Sequence, residues 1–233
     1  MSGALTAEEW GVVALSLRVS LVAMLVSLPV AYALAWLLAR RRFPGRVLLD
    51  ALVHLPLVVP PVVTGWALLL LFGRNGVAGA WLQTNLGVTL VFRWTGAALA
   101  AAVMALPLMV RAMRLSIEAV DRRLVAAART LGASPLRAFG TITVPLSAPG
   151  IAAGAMLGFA RSLGEFGATM TFASNIPGQT RTLPLAIYSA LQLPGGEGLV
   201  ARLAVVSIVL SIGALLVSEW LVRRTPGGHV HGL

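Results

Sequence analysis

The chain has 233 residues, 58% hydrophobic and only 11% charged, with a net charge of +10 and a mean hydropathy of +0.89. Soluble domains carry about 25% charged residues, so this composition excludes a water-soluble fold and is that of an integral membrane protein. All 18 basic residues are arginine and there is no cysteine, which excludes a P-loop, Schiff-base chemistry, disulfides, thiolate zinc sites and thiol nucleophiles.

Residues 1–10 read as an uncleaved N-terminal tail, with no basic n-region and no small-residue cleavage site. Five segments reach the roughly 20 residues needed to cross a bilayer core: 11–39, 50–72, 94–114, 149–173 and 199–222. Arg40, Arg41, Arg42 and Arg46 follow the first. Arg111, Arg114, Arg122, Arg123, Arg129 and Arg137 lie between the third and fourth, and Arg223 and Arg224 follow the last. Twelve loop arginines thus fall on one side, against Arg74, Arg93 and Arg181 on the other. The positive-inside rule puts the N-terminus outside and the C-terminus in the cytoplasm. This distribution accounts for the net charge without nucleic acid. The expected fold class is an all-α membrane domain over 11–222 with a cytoplasmic tail at 223–233.

Within the second segment, Pro56, Pro60 and Pro61 remove backbone donors and are expected to kink a helix, with Thr64 and Gly65 adding a hydroxyl and room. Either a pathway wall or a purely structural kink fits that pattern. Pro107 is expected to bend the third segment in the same way. His54, one turn after Asp50, reads as hydrogen-bonded structure, and no metal constellation is visible. In the fourth segment, Arg161 and Glu165 are spaced to pair on one helix face, with Ser162 beside them. Charges in the middle of a span are costly, so the pair reads either as a structural link or as part of a pathway or gate. Residues 183–193 are apolar but too short to cross, and read as an interfacial or re-entrant helix on the outer side. Arg18 and Arg202, near the outer ends of their spans, are expected to snorkel. His229 and His231 fall in the tail.

The loop 115–145 is different in kind. Residues 118–132 read as a helix with Leu124, Ala127, Ala128 and Leu131 on one face and Gly132 at its C′ position; Ser134 and Pro135 then open a second short helix. By pattern, this is either an amphipathic helix resting among lipid headgroups or a docking element for a soluble partner.

The loop resembles the signature of permease subunits of binding-protein-dependent ABC importers, E-A-A-x3-G-x9-I-x-L-P. Ala127, Ala128, Gly132, Ile142 and Pro145 match at the required spacing, while Ala126 stands in place of the Glu and Val144 in place of the Leu. The blocks "HLPLVVPPVVTGWALL" at 54–69 and "RSLGEFGATMTFASNIPGQTRTLP" at 161–184 are similar to those of molybdate permeases. That resemblance implies a type I ABC importer transmembrane fold in the cytoplasmic membrane of a prokaryote. It implies a homodimer with two ATPase subunits, which would hold ATP and Mg, and an extracytoplasmic oxyanion-binding protein. The chain itself would hold no cofactor. It also implies that Arg122, Arg123, Arg129 and the matched positions dock the ATPase, without a salt bridge from Ala126. Pro60, Pro61, Thr64, Arg161, Ser162 and Glu165 are the pathway or gate candidates. Sulfate or tungstate are alternative cargoes. A channel, a secondary transporter and an intramembrane enzyme are the competing classes; no repeat and no Ser–His constellation supports the last two.

Overall fold

The computed structural model describes residues 5–224, all of whose regular structure is helical. Helix α1 (Ala7–Arg40) starts inside the expected tail, because Thr6 and Glu9 form a reciprocal capping box. It is followed by α2 (Arg46–Val58), α3 (Pro61–Phe72), α4 (Val77–Leu86) and α5 (Trp94–Ala119). The expected loop before 94 therefore contains a helix, α4, that hydropathy did not single out. The 115–145 region holds α6 (Arg122–Thr130), α7 (Pro135–Ala138), a π turn (Phe139–Thr143) and α8 (Val144–Leu146). The chain ends with α9 (Ala148–Leu163), α10 (Gly167–Ala173), α11 (Leu183–Leu191) and α12 (Glu197–Arg224). His229 and His231 lie outside the described residues.

Helices α1 and α5, and α12 over Glu197–Val217, are each long and apolar enough to span a membrane. The second and fourth expected spans are broken. Helices α2 and α3 meet at 118°, far beyond a kink. Pro60 forces Val59 into extended backbone, Pro61 does the same to Pro60, and Pro61 then sits at the first turn of α3, where its missing N–H costs nothing. Pro56, by contrast, is carried inside α2, and Pro107 inside an unbroken α5. The fourth span ends at Leu163 and restarts at Gly167.

The core is α1, α5 and α9 packed side by side. Ala31, Ala35 and Leu38 of α1 bury against Met109, Val110 and Met113 of α5. Beside α1, α5 also receives the row Gly150, Gly154 and Gly158 of α9, with Met109 and Met113 facing both neighbours. A Cβ on Gly150 would lie 2.2 Å from the Ser116 Cβ, and one on Gly158 2.4 Å from the Met109 sulfur. Small residues at four-residue spacing let helix backbones approach this closely in lipid. Gly65 of α3 is likewise filled by α10, with Ala168 O 2.7 Å from where a Cβ would stand. Gly65 therefore serves packing rather than the open space expected of it.

Helix α11, the short apolar segment, is anchored to the bundle. Leu183, Leu185, Ala186 and Ala190 are buried, and Leu183 N donates to Ser16 Oγ of α1 at 2.7 Å. Arg202 has a partner within the protein. Its guanidinium pairs with Glu9 at 2.6 Å and joins the start of α12 to the start of α1. Arg18 lies over the Trp94 ring at 3.8 Å.

Gly150→Val should force α9 off α5, because the Ser116 Cβ cannot swing away; overpacking of this kind costs about 1–3 kcal/mol. The purified variant is expected to melt several degrees below the parent in detergent, and an unchanged midpoint would contradict the close α5–α9 packing.

Candidate functional site

The loop folds as a short helical hairpin. The expected helix 118–132 is two pieces: α5 runs through Glu118 to Ala119, the chain breaks at Val120, and α6 begins with Asp121 accepting from Arg123 N at 2.9 Å. Gly132 has φ +89, the left-handed conformation expected at that position. Ser134 then caps α7 by accepting from Arg137 N.

The two faces of α6 differ. Arg122, Val125, Ala126 and Arg129 turn inward and line a groove with Trp36 and Phe139. Leu124, Ala127 and Leu131 point out; Leu131 is 88% exposed and Leu136, on α7, 80%. The structure thus splits the sequence-matched residues. Arg123, Ala127 and Gly132 stand on the exposed side, Ala128 and Ile142 are half-buried, Pro145 is exposed, and Ala126 faces the groove. An uncovered apolar ridge on an otherwise polar hairpin suits docking to another protein.

The hairpin is fixed to the bundle by rings and hydroxyls. Phe139 packs edge-on against Trp36, with centroids 5.7 Å apart, and lies 6.0 Å from Tyr32, both on α1. The Tyr32 hydroxyl lies 2.9 Å from Ser147 Oγ at the 65° bend between α8 and α9. Ser116 Oγ of α5 donates to the Ser147 carbonyl at 3.4 Å.

Arg161 and Glu165 do pair, at 2.6 Å, but not in mid-helix. Glu165 sits in the gap between α9 and α10, is 3% exposed, and accepts the Ala168 N–H at 2.9 Å with its other oxygen. One carboxylate therefore closes the end of one helix and starts the next. The Ser162 hydroxyl is buried with no hydrogen-bond partner among the described residues. Pro61 packs close to Gly167, where an added Cβ would come within 2.8 Å of it, so the α2–α3 break adjoins the α9–α10 break. The structure thus brings Pro60 and Pro61 near the Glu165 turn, while Thr64, half-buried, lies one turn along α3.

Sequence reasoning read His54 as hydrogen-bonded structure, which it is, but missed the polar cluster around it near the arginine-rich end. Arg114 binds Asp50 of α2 at 3.0 Å and Glu118 at 2.9 Å, and His54 Nδ1 lies 2.9 Å from the Asp50 carbonyl. The Arg114–Glu118 spacing was a visible signal; the Asp50 contact, across 64 positions, was not. Among the described residues, no group of three or more His, Asp or Glu could hold a metal ion.

The family described as "Binding-protein-dependent transport system inner membrane component" matches residues 27–226. The chain is 58% identical over 219 residues to the molybdenum transport system permease protein ModB of Escherichia coli (strain K12), covering 94% of this chain and 96% of that protein. To the sulfate transport system permease protein CysT of the same strain it is 36% identical over 197 residues, covering 83% and 71%. In three dimensions it resembles a chain of a bacterial ABC transporter involved in import of the polysaccharide alginate. The TM-score is 0.70 at 18% identity, covering 94% of this chain and 80% of that one, a likeness of fold alone. The fold is that of a type I ABC importer transmembrane domain, and the chain belongs to the inner-membrane components of binding-protein-dependent transport systems.

Proposed function

We propose that this chain is the membrane-spanning subunit of an ATP-driven importer that moves molybdate into the cytoplasm. The observation that carries the cargo is the 58% identity to a molybdenum permease along nearly the full length of both chains, against 36% to a sulfate permease. It works as a homodimer in the cytoplasmic membrane of a prokaryote, with two ATPase subunits inside and an oxyanion-binding protein outside. ATP and Mg reside on the ATPases; this chain, without a lysine, supplies no P-loop. Five spans, the second and fourth of them broken, run from an outer N-terminus to an inner C-terminus, which the arginine distribution supports.

In this reading the α6–α7 hairpin is the ATPase contact. Its exposed Leu124, Ala127, Leu131 and Leu136 enter a cleft of the partner, with Arg123 at the rim. Arg122 and Arg129 stay on the groove side, and Ala126 contributes no charge. The adjoining breaks at Val59–Pro60 and Gly164–Phe166 form part of the pathway wall. Alternating access follows if ATPase closure moves the hairpin and the hairpin moves α9.

Three outcomes test this. In the complex reconstituted with its binding protein, molybdate is expected to stimulate ATPase activity well above sulfate; stimulation by sulfate alone overturns the cargo assignment. Tungstate, a tetrahedral dianion of the same charge, is the remaining competitor in that measurement.

Gly132→Asp places a side chain and a negative charge at the positive-φ bend. It should abolish ATP-driven uptake while leaving membrane insertion and folding intact. Normal uptake by that variant removes the hairpin from the coupling role.

Arg161→Ala leaves the Glu165 carboxylate buried without its cation, and breaking a buried pair costs about 3–5 kcal/mol. Uptake should fall and basal ATPase activity change, with Glu165→Gln milder. Wild-type rates in both variants would show that the pair plays no part in the transport cycle.

A further inference from the structure

Where α1 stops and α2 begins, a cavity of about 770 Å³ opens against the α5–α6 junction. Arg40, Arg41, Arg42, Arg46 and Arg122 line it, with Glu118 as its only carboxylate. These charges do not neutralise one another. Glu118 is already held by Arg114. Arg40 commits Nη2 to the carbonyls of Ile117 and Val120, each at 2.8 Å, and Arg41 stands over the Trp36 ring at 5.5 Å. Arg42, Arg46 and Arg122 have no ion-pair partner among the described residues. Helix α2 starts here on Gly45 with no capping side chain, so its unsatisfied N–H groups add to the positive potential.

Directly along α2 from these arginines the surface turns to hydrocarbon. Val47, Leu48, Leu52 and Leu55 are all exposed, Val47 at 84%. A cationic rim above an uncovered aliphatic helix face fits a molecule that is anionic at one end and hydrocarbon at the other. Guanidinium groups match phosphate oxygens in geometry as well as charge. Clustered basic residues at the cytoplasmic surface attract anionic headgroups.

We propose that this cavity binds the phosphate of an anionic phospholipid of the inner leaflet, with the acyl chains laid along the exposed face of α2. The site rests on the orientation argued above, with this end in the cytoplasm. An acidic protein surface would satisfy the arginines but leave the α2 leucines uncovered, and a free phosphate would do the same.

The test uses the full chain purified in detergent, with lipid retention read by native mass spectrometry and no reference to molybdate uptake, so the cargo assignment is tested separately. Wild type is expected to retain phosphatidylglycerol over phosphatidylcholine, and to lose that preference at high salt. Arg42→Gln with Arg46→Gln should weaken phosphatidylglycerol retention about 25-fold, roughly fivefold per arginine. Arg74→Gln, outside the cavity, should leave it unchanged. Equal retention of the two lipids by wild type overturns the proposal, as does undiminished phosphatidylglycerol retention in the double variant. Displacement of the lipid by equimolar inorganic phosphate would identify a free-anion site instead. Loss of ATPase-subunit binding in the double variant, with lipid retention intact, would assign the cavity to a protein partner and overturn it too.

Discussion

In hydrocarbon, every backbone N–H and C=O that leaves a helix must find its partner within the protein, and this chain is organised around meeting that requirement wherever a helix stops. The 65° bend before α9 centres on Ser147, fully buried, whose hydroxyl meets Tyr32 of α1 and whose carbonyl accepts from Ser116 of α5. At the next break, the Glu165 carboxylate takes the Ala168 N–H in the first turn of α10 and is itself neutralised by Arg161. At the α2–α3 corner the donor side is eased by omission, since Pro60 and Pro61 bring no N–H groups to satisfy, and the Pro60 carbonyl accepts from Val63 and Thr64. Three helix ends that would be liabilities in lipid thus become fixed joints. They lie on elements packed against the α5 backbone, held close by the glycine row of α9.

The two ends of the bundle are tied in different ways. At one end a single ion pair, Glu9 with Arg202, joins the first and last long helices, while Ser16 holds the start of α11. At the other, Arg114 draws Asp50 of α2 to Glu118 near the end of α5, and Arg40 clamps the last carbonyls of α5 from α1. Charge is concentrated there because that is where loops, not lipid, surround the chain, and surplus arginine remains after all the local pairs are made.

The sequence was most legible where one physical rule acted alone. Hydropathy placed α1, α5 and α12 to within a few residues, and the capping residues Ser134 and Gly132 marked the hairpin correctly. The spacing of Arg161 and Glu165 announced their pairing. It could not announce the break between them, because an i, i+4 pair is compatible with a continuous helix, and the competing pull of two flanking glycines is not visible in hydropathy. Proline position was similarly ambiguous. Pro56 and Pro60 look alike in a string, yet only the doublet at 60–61 fixes two successive residues outside the helical region. Helix α4 escaped because its Gly-, Asn- and Thr-containing segment reads as loop and is too short to carry a hydropathy signal. Long-range contacts such as Asp50 with Arg114 left no local trace at all.

The packing of Phe139 has a mechanical consequence. Because α8 runs on into α9 while Phe139, in the π turn, is wedged between Tyr32 and Trp36, the hairpin has an aromatic attachment to α1 besides its chain connections to α5 and α9. A torque applied at Leu131 or Leu136 would be delivered along the chain to α9 and sideways through aromatic contact to α1. Both receivers lean on the same helix, α5. The hairpin would then act as a crank turning two shafts together, and the stiffness of that linkage would depend on three aromatic rings and one serine.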